Sequence, residues 1–172
     1  PVLGHADGIC HVYVDREAQL PMALDIAVDS KTQYVSVCNA AECLLVDEAV
    51  AAEFLPALKR RMDEKDTTLY GCDKTRAIID VPAANEESYH TEYLDYAMSV
   101  KVVSGLDQAI DHINTYGSGH TDCIVTESEE RAAKFMQLVD SANVFLNCST
   151  RFSDGFRYGF GAEVGVSTNK IH

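Results

Sequence analysis

The chain has 172 residues, 47% of them hydrophobic and 24% charged, which is the mix of one soluble globular domain long enough to bury a core. A net charge of −13 argues against nucleic acid, because nothing here neutralises a run of phosphates, and equally against anionic membrane surfaces. No apolar run approaches the ~20 residues that span a bilayer, and Pro1 to His5 lacks the basic-then-apolar order of a signal peptide.

The missing initiator Met and the abrupt stop at His172 are expected of a piece cut from a longer chain. Six cysteines (Cys10, Cys38, Cys43, Cys72, Cys123 and Cys148) in a chain of this size and pattern predict free thiols in a reducing, cytoplasmic compartment rather than a disulfide framework. No C-x-x-C or H-x₃-H spacing occurs, so no metal site is expected.

Taken in chain order, Ile9 to Val14 is a β-rich apolar run and predicts a buried strand. Asp15 is placed to cap a helix from about residue 17 to 32, with Leu20, Ala23, Leu24 and Ala27 on one face. Cys38 follows, then a short strand at Cys43 to Val46. A second helix, about Asp47 to Lys65, carries Ala51, Phe54, Leu55, Leu58 and Met62 at the spacing of one apolar stripe. Thr67 to Cys72 reads as a strand. Residues 73–92 are the least legible, with a weak strand at Arg76 to Val81.

Ala97 to Val103 alternates as a strand, and Leu106, Ala109, Ile110 and Ile113 mark a helix ending at Gly117. Thr121 to Thr126 is a strand, and Thr126-x-x-Glu129 resembles a capping box for a helix burying Ala132, Phe135, Met136 and Val139. Asn143 to Asn147 is a further strand. Strands alternating with helices predict an α/β fold, a mostly parallel sheet covered on both faces, with functional groups beyond the carboxyl ends of its strands.

Among possible motifs, Gly159 to Gly165 has the spacing G-x-G-x-x-x-G and leaves no room for a following βαβ unit, so tight loop geometry explains it better than a dinucleotide site. His5 and His11 are not an i, i+4 pair; His112 and His120 flank a helix end, where a cation suits the carbonyls; structural roles are favoured for all four. Arg151 and Arg157 straddle Phe152 to Gly155, with Ser149, Thr150 and Ser153 nearby. They either bind a carboxylate or phosphate, or pin the loop through Asp154 or Glu163. Cys38 lies between a helical stretch and an apolar strand, and Asn39, Ala40 and Ala41 leave space around it, as an acyl-transferring thiol requires.

Six blocks occur in order and register: Gly4 to Asp15, Cys38 to Val46, Thr91 to Leu94, His120 to Glu127, Asn147 to Gly155 and Gly161 to Thr168. Together they resemble the γ-glutamyl phosphate reductases of the aldehyde dehydrogenase superfamily, which also form the reductase half of bifunctional pyrroline-carboxylate synthases. The resemblance runs essentially end to end. Departures are Cys43, where the family usually has threonine, and the absence of a proline near Val35.

The resemblance implies that residues 1–172 are the nucleophile-bearing catalytic domain, with the NADPH-binding domain outside this chain. It implies NADPH-dependent reduction of L-glutamyl 5-phosphate to glutamate 5-semialdehyde with release of phosphate, a step of proline biosynthesis. Cys38 is then the nucleophile, its backbone N–H an oxyanion donor, and Glu92 the contact to the nicotinamide ribose. Ser149, Thr150 and Arg151 hold the α-carboxylate of the substrate. Functional coupling to a glutamate 5-kinase is also implied, and a homo-oligomer is compatible with it. The rivals are another semialdehyde dehydrogenase, or a non-catalytic substrate-binding or assembly module.

Overall fold

A computed structural model describes residues 7–161. Its strands are β1 (Cys10–Val14), β2 (Ala41–Asp47), β3 (Thr68–Gly71), β4 (Ala97–Val103), β5 (Thr121–Val125) and β6 (Asn143–Leu146). The helices are α1 (Leu20–Thr32), α2 (Glu48–Asp63), α3 (Asp73–Arg76), α4 (Leu106–Tyr116) and α5 (Glu129–Leu138). All six strands are parallel, in the order β3-β4-β2-β1-β5-β6. This is the α/β architecture expected from the alternation of strands and helices.

Every residue of β1 and β2 is buried, because helices cover both faces of the sheet. Val12, Val14, Leu44 and Val46 pack with Ala23 and Ala27 of α1 and with Phe54, Leu55 and Leu58 of α2. Alternate positions Tyr13, Leu45 and Ile124 pack with Ile110 and Ile113 of α4 and Phe135 of α5. The stripe on α2, including Ala51 and Met62, is buried throughout. Each such Leu or Phe contributes about 1.5–3 kcal/mol by leaving water.

Several local expectations are corrected. Helix α1 begins at Leu20 with Gln19 as its N-cap and Pro21 in the first turn; Asp15 does not cap it. Asp15 is fully buried and accepts from the Tyr13 hydroxyl at 2.9 Å, the Thr126 hydroxyl at 2.9 Å and Arg131 Nε at 2.8 Å. Burial alone would raise its carboxyl, but the bonds from Arg131, Thr126 and Tyr13 outweigh burial and hold it below the ordinary carboxylate range.

Thr126 is committed to that network, so Ser128 caps α5 instead, accepting from Arg131 N at 3.3 Å. Met136 is 48% exposed rather than buried. Arg76 to Val81 forms no strand: α3 and a loop occupy the region, and Ile79 and Val81 reach the core from irregular backbone. A 3₁₀ turn follows at Glu87–His90.

Gly117 does end α4, donating to Ile113 O at 2.8 Å, with φ −69°. Close approach is the reason for glycine there: a Cβ would lie 2.6 Å from that carbonyl and 3.4 Å from the His11 ring. His112 does not serve the end of α4 as a cation. It is buried in the helix's inner face, where burial, then His11 and Lys101, depress its pKa to about 2 and keep it neutral. His11 and His120 are buried as well, His11 on Asp122 and His120 on Thr121. His5 lies outside the described residues, as does Glu163.

Candidate active site

Functional groups are expected beyond the carboxyl ends of the strands, and Cys38 does not lie there. At the carboxyl edge, Asp15 pairs with Arg131 and Arg16 Nε is held on Asp47 at 3.0 Å, beside a cavity of about 350 Å³ lined by Arg16, Gly105, Arg131 and Lys134. Cys38 lies at the opposite edge, in the turn between α1 and the amino end of β2.

Three contacts fix the Cys38 backbone. Ala40 N donates to Val37 O at 3.0 Å, closing the turn. Cys10 Sγ, at the start of β1, donates to Cys38 O at 3.2 Å. Gly8 lies flat against the turn: a Cβ there would stand 2.3 Å from Cys38 O and 2.6 Å from Cys38 Cα. No other residue type fits at position 8 unless the Cys38 backbone moves.

Asn39 joins this turn to the segment after β6. It is buried, its Nδ2 donates to Ser153 O at 2.7 Å, and its Oδ1 accepts from Arg151 Nη1. The segment is shaped as a 3₁₀ turn, Thr150–Phe152, capped by Ser149, whose Oγ accepts from Arg151 N at 3.2 Å. Ser30, near the end of α1, ties it down: its Oγ donates to Ser149 Oγ at 3.2 Å and accepts from Thr150 N at 3.2 Å. The amino edge thus collects Cys38, Asn39, Ser149, Thr150 and Arg151 from two distant parts of the sequence.

Glu92 joins them from a third. It is half-buried, in the loop before β4, and its charge acts on Cys38. Ser36 Oγ donates to Leu94 O at 3.3 Å, holding that loop against the Cys38 turn. Beneath both lies the ion pair of Lys31 Nζ and Glu42 Oε2 at 2.6 Å, with neither side chain exposed. Burial raises the Glu42 carboxyl to about 7 against the pull of Lys31, and burial likewise lowers Lys31. The N–H groups of Tyr93 and Leu94 lie close enough to favour the Glu42 charge, without a bond of good geometry to its second oxygen.

The Cys38 thiol is pushed up, first by burial and then by Glu92; its own backbone N–H and the Arg151 guanidinium pull it down. Arg151 is buried, and desolvation lowers its own pKa. Neither loop arginine is ion-paired among the described residues. Arg151 bonds Asn39, while Arg157 donates to Gln33 Oε1 at 3.2 Å and lies 4.6 Å from the Phe152 ring. Three buried polar atoms here have no hydrogen-bond partner among the described residues: Thr150 Oγ1, Arg151 Nε and Ser153 Oγ.

Sequence reading missed the bridging role of Asn39, the backing by Gly8 and the Lys31–Glu42 pair. That pair did leave a signal. Lys31 falls four residues after Ala27 on the inward face of α1, and Glu42 stands at the start of the apolar run Cys43 to Val46. Two opposite charges at buried positions predict each other.

No protein-family model matches the chain. Along its whole length it is 67% identical to the γ-glutamyl phosphate reductase of Pelotomaculum thermopropionicum, of which it covers 40%. By sequence, the chain is similar from end to end to a part of the γ-glutamyl phosphate reductases. It spans about 40% of the length of the curated relatives it matches. The crystal structure of the γ-glutamyl phosphate reductase from Thermotoga maritima superposes on all of the chain with a TM-score of 0.97 at 46% identity, using 42% of that protein. An acetylating aldehyde dehydrogenase from Geobacillus thermoglucosidasius covers 98% of the chain with a TM-score of 0.71 at 18% identity and uses 49% of that protein, a likeness of fold.

Proposed function

We propose that this chain is the nucleophile-bearing part of an enzyme that reduces L-glutamyl 5-phosphate to glutamate 5-semialdehyde, releasing phosphate. The observation that carries the proposal is the convergence of Cys38 with the Asn39-bound Ser149-Thr150-Arg151 turn at one edge of the sheet. The end-to-end likeness to γ-glutamyl phosphate reductases supports it.

Cys38 Sγ, as thiolate, attacks the γ-carbonyl carbon; the C–O bond to phosphate breaks, and the phosphate leaves with the electron pair. A thiolate suits this step because it is strongly nucleophilic near neutral pH and its thioester is more readily reduced than a carboxylate. The Cys38 backbone N–H, already close to its own sulfur, is the oxyanion donor as the tetrahedral centre forms. Arg151, with the hydroxyls of Ser149 and Thr150, holds the α-carboxylate; the unpartnered Thr150 Oγ1 and Arg151 Nε are donors available to it.

Glu92 fits a role toward NADPH, since a half-buried carboxylate within electrostatic reach of Cys38 can accept from a ribose hydroxyl. When bound, NADPH supplies the hydride that reduces the thioester. Its binding domain falls outside this chain on our reading, so the isolated chain has negligible reductase activity and weak or undetectable NADPH affinity. The acyl phosphate substrate hydrolyses readily, which favours coupling to the glutamate 5-kinase that makes it; the full protein works in the cytoplasm, and a homo-oligomer remains compatible with this arrangement.

In the full-length protein, Cys38→Ser should abolish semialdehyde formation while leaving NADPH binding intact by calorimetry. Retention of more than a tenth of the activity in that variant removes Cys38 as the nucleophile. Tight stoichiometric NADPH binding by the 172-residue chain alone contradicts the division of labour.

A further inference from the structure

On the opposite side of β2 from the α1–α2 core, three metal-ligating side chains meet in the interior. His11 and Cys43 are register partners on adjacent strands β1 and β2, and His112 reaches them from α4. All three are buried, at 0%, 1% and 4% exposure. One ligand atom from each lies within 4.8 Å of the others, and Cys43 Sγ is 3.7 Å from His112 Nε2.

The hydrogen bonds around the cluster orient it. Asp122 Oδ1 accepts from His11 N at 2.8 Å and from His11 Nδ1 at 3.0 Å, and Asp122 Oδ2 accepts from the Ser141 hydroxyl. A carboxylate only accepts, so His11 carries a proton on Nδ1, and Nε2 faces inward, buried and without a hydrogen bond of good geometry. Burial lowers the His11 pKa, but Cys43 and Asp122 outweigh it and raise it to about 10. A buried polar atom without a well-formed bond is costly. A carboxylate behind an imidazole is the usual support of a histidine metal ligand.

We propose that His11, Cys43 and His112 form a structural site for a thiolate-preferring d¹⁰ metal ion, Zn²⁺ or Cu⁺, beneath the strands that carry the Cys38 turn. A thiolate with two imidazoles is a donor set both ions accept. Zinc bonds of about 2.3 Å to sulfur and 2.1 Å to nitrogen set a sulfur–nitrogen separation of about 3.6 Å at the tetrahedral angle, close to the 3.7 Å between Cys43 and His112. For Zn²⁺, the Cys43 thiolate and the Asp122 carboxylate together offset the ion's two charges.

On binding, the protons held by Cys43 Sγ and His11 Nε2 go to solvent as the metal–sulfur and metal–nitrogen bonds form. His112 faces Lys101 Nζ across 3.2 Å at Nδ1, so in the metal-free chain its proton is on Nε2. Metal binding at Nε2 moves that proton to Nδ1, and Lys101, which is part-exposed, turns away to solvent. No electron is transferred. Tyr89 and Tyr116, with ring centroids 5.1 and 4.4 Å from that of His112, wall the site and give a substrate no access. The role is a staple joining β1, β2 and α4.

The test uses the full-length protein, stripped with chelator and dialysed against Zn²⁺, or against Cu⁺ under anaerobic conditions. Metal content is then read by mass spectrometry, and Co²⁺ substitution by its near-ultraviolet thiolate band. One equivalent should be retained by the wild type and by Cys38→Ala, and at least tenfold less by Cys43→Ala. The cobalt band should be absent from Cys43→Ala. Cys43→Ser, nearly isosteric, guards against a variant that fails to fold and should lose the metal equally. Which ion is retained identifies the natural one. Retention of neither ion by the wild type, undiminished retention in Cys43→Ser, or loss in Cys38→Ala overturns the proposal.

Discussion

Replacing Lys31 by methionine tests whether the buried pair holds the floor of the Cys38 turn. Lys31 and Glu42 have no exposed side-chain surface, and their atoms meet at 2.6 Å. Removing the cation leaves a buried carboxylate without its partner, at a cost of about 3–5 kcal/mol. For a chain of this size that lowers Tm by roughly 6–20 °C, at about 2–4 °C per kcal/mol. The loss should depend on pH. Burial already raises Glu42 to about 7 with Lys31 present, and it climbs further without it. A carboxyl whose folded pKa exceeds its ordinary value adds stability that is full below ~4.5; that stability is lost as pH rises through the folded value of about 7. At pH 5 the variant's Glu42 is therefore protonated, and the cost shrinks to that of a missing hydrogen-bond partner, about 1–3 kcal/mol. The chain has no tryptophan, so urea unfolding is best followed by far-ultraviolet circular dichroism. Lys31→Met/Glu42→Leu should recover most of the loss, since an apolar pair of similar volume replaces a buried ion pair at little cost. Equal destabilisation at pH 5 and pH 8, or a double variant no better than the single one, refutes the reasoning.

Thiol reactivity in the isolated chain should rank Cys72 ahead of Cys38. Burial raises the Cys72 thiol, but bonds from Thr75 and from neighbouring backbone amides outweigh it and leave it lowered, whereas Cys38 is raised. Peptide mapping after brief iodoacetamide treatment at pH 8 reads this directly, and faster labelling of Cys38 contradicts it. Gly8→Ala drives a Cβ to 2.3 Å from Cys38 O and should cost about 1–3 kcal/mol by overpacking. An unchanged urea midpoint, with Cys38 alkylation also unchanged, shows that the turn is not braced from that side.

Most of the fold was legible because its signals are periodic. Five apolar residues on α2 at helical spacing, and β-branched runs at β1 and β4, report burial directly. What failed were cases where a side chain had two possible partners. Asp15 was read as a cap from its place before a helix, but Arg131, which captures it, lies 116 residues away. Thr126 lost its capping role to the same network. The site divides the same way. Cys38 stands out locally through its small neighbours, and the Ser149-Thr150-Arg151 turn through its composition. That Asn39 would clasp that turn, or that Gly8 would lie under Cys38, depends on how the strands come together and leaves no local pattern.

The raised thiol of Cys38 bears directly on the role proposed for it. Burial and Glu92 oppose the thiolate, while its own N–H and Arg151 favour it. Burial is built into the turn, but the Glu92 contribution is adjustable, because that carboxylate is only half-buried and is free to accept hydrogen bonds from outside. A ribose hydroxyl donating to Glu92 draws its negative charge away from the sulfur, so occupation of the cofactor site should lower the Cys38 pKa. Two measurements on the full-length protein follow, each the midpoint of alkylation rate against pH. Glu92→Gln should shift the Cys38 midpoint downward, and Arg151→Met should shift it upward. NADPH should then move the midpoint down in the wild type but no further in Glu92→Gln, since the charge it would have masked is gone. A cofactor-induced shift of equal size in both proteins places the coupling elsewhere and leaves Glu92 as a bystander.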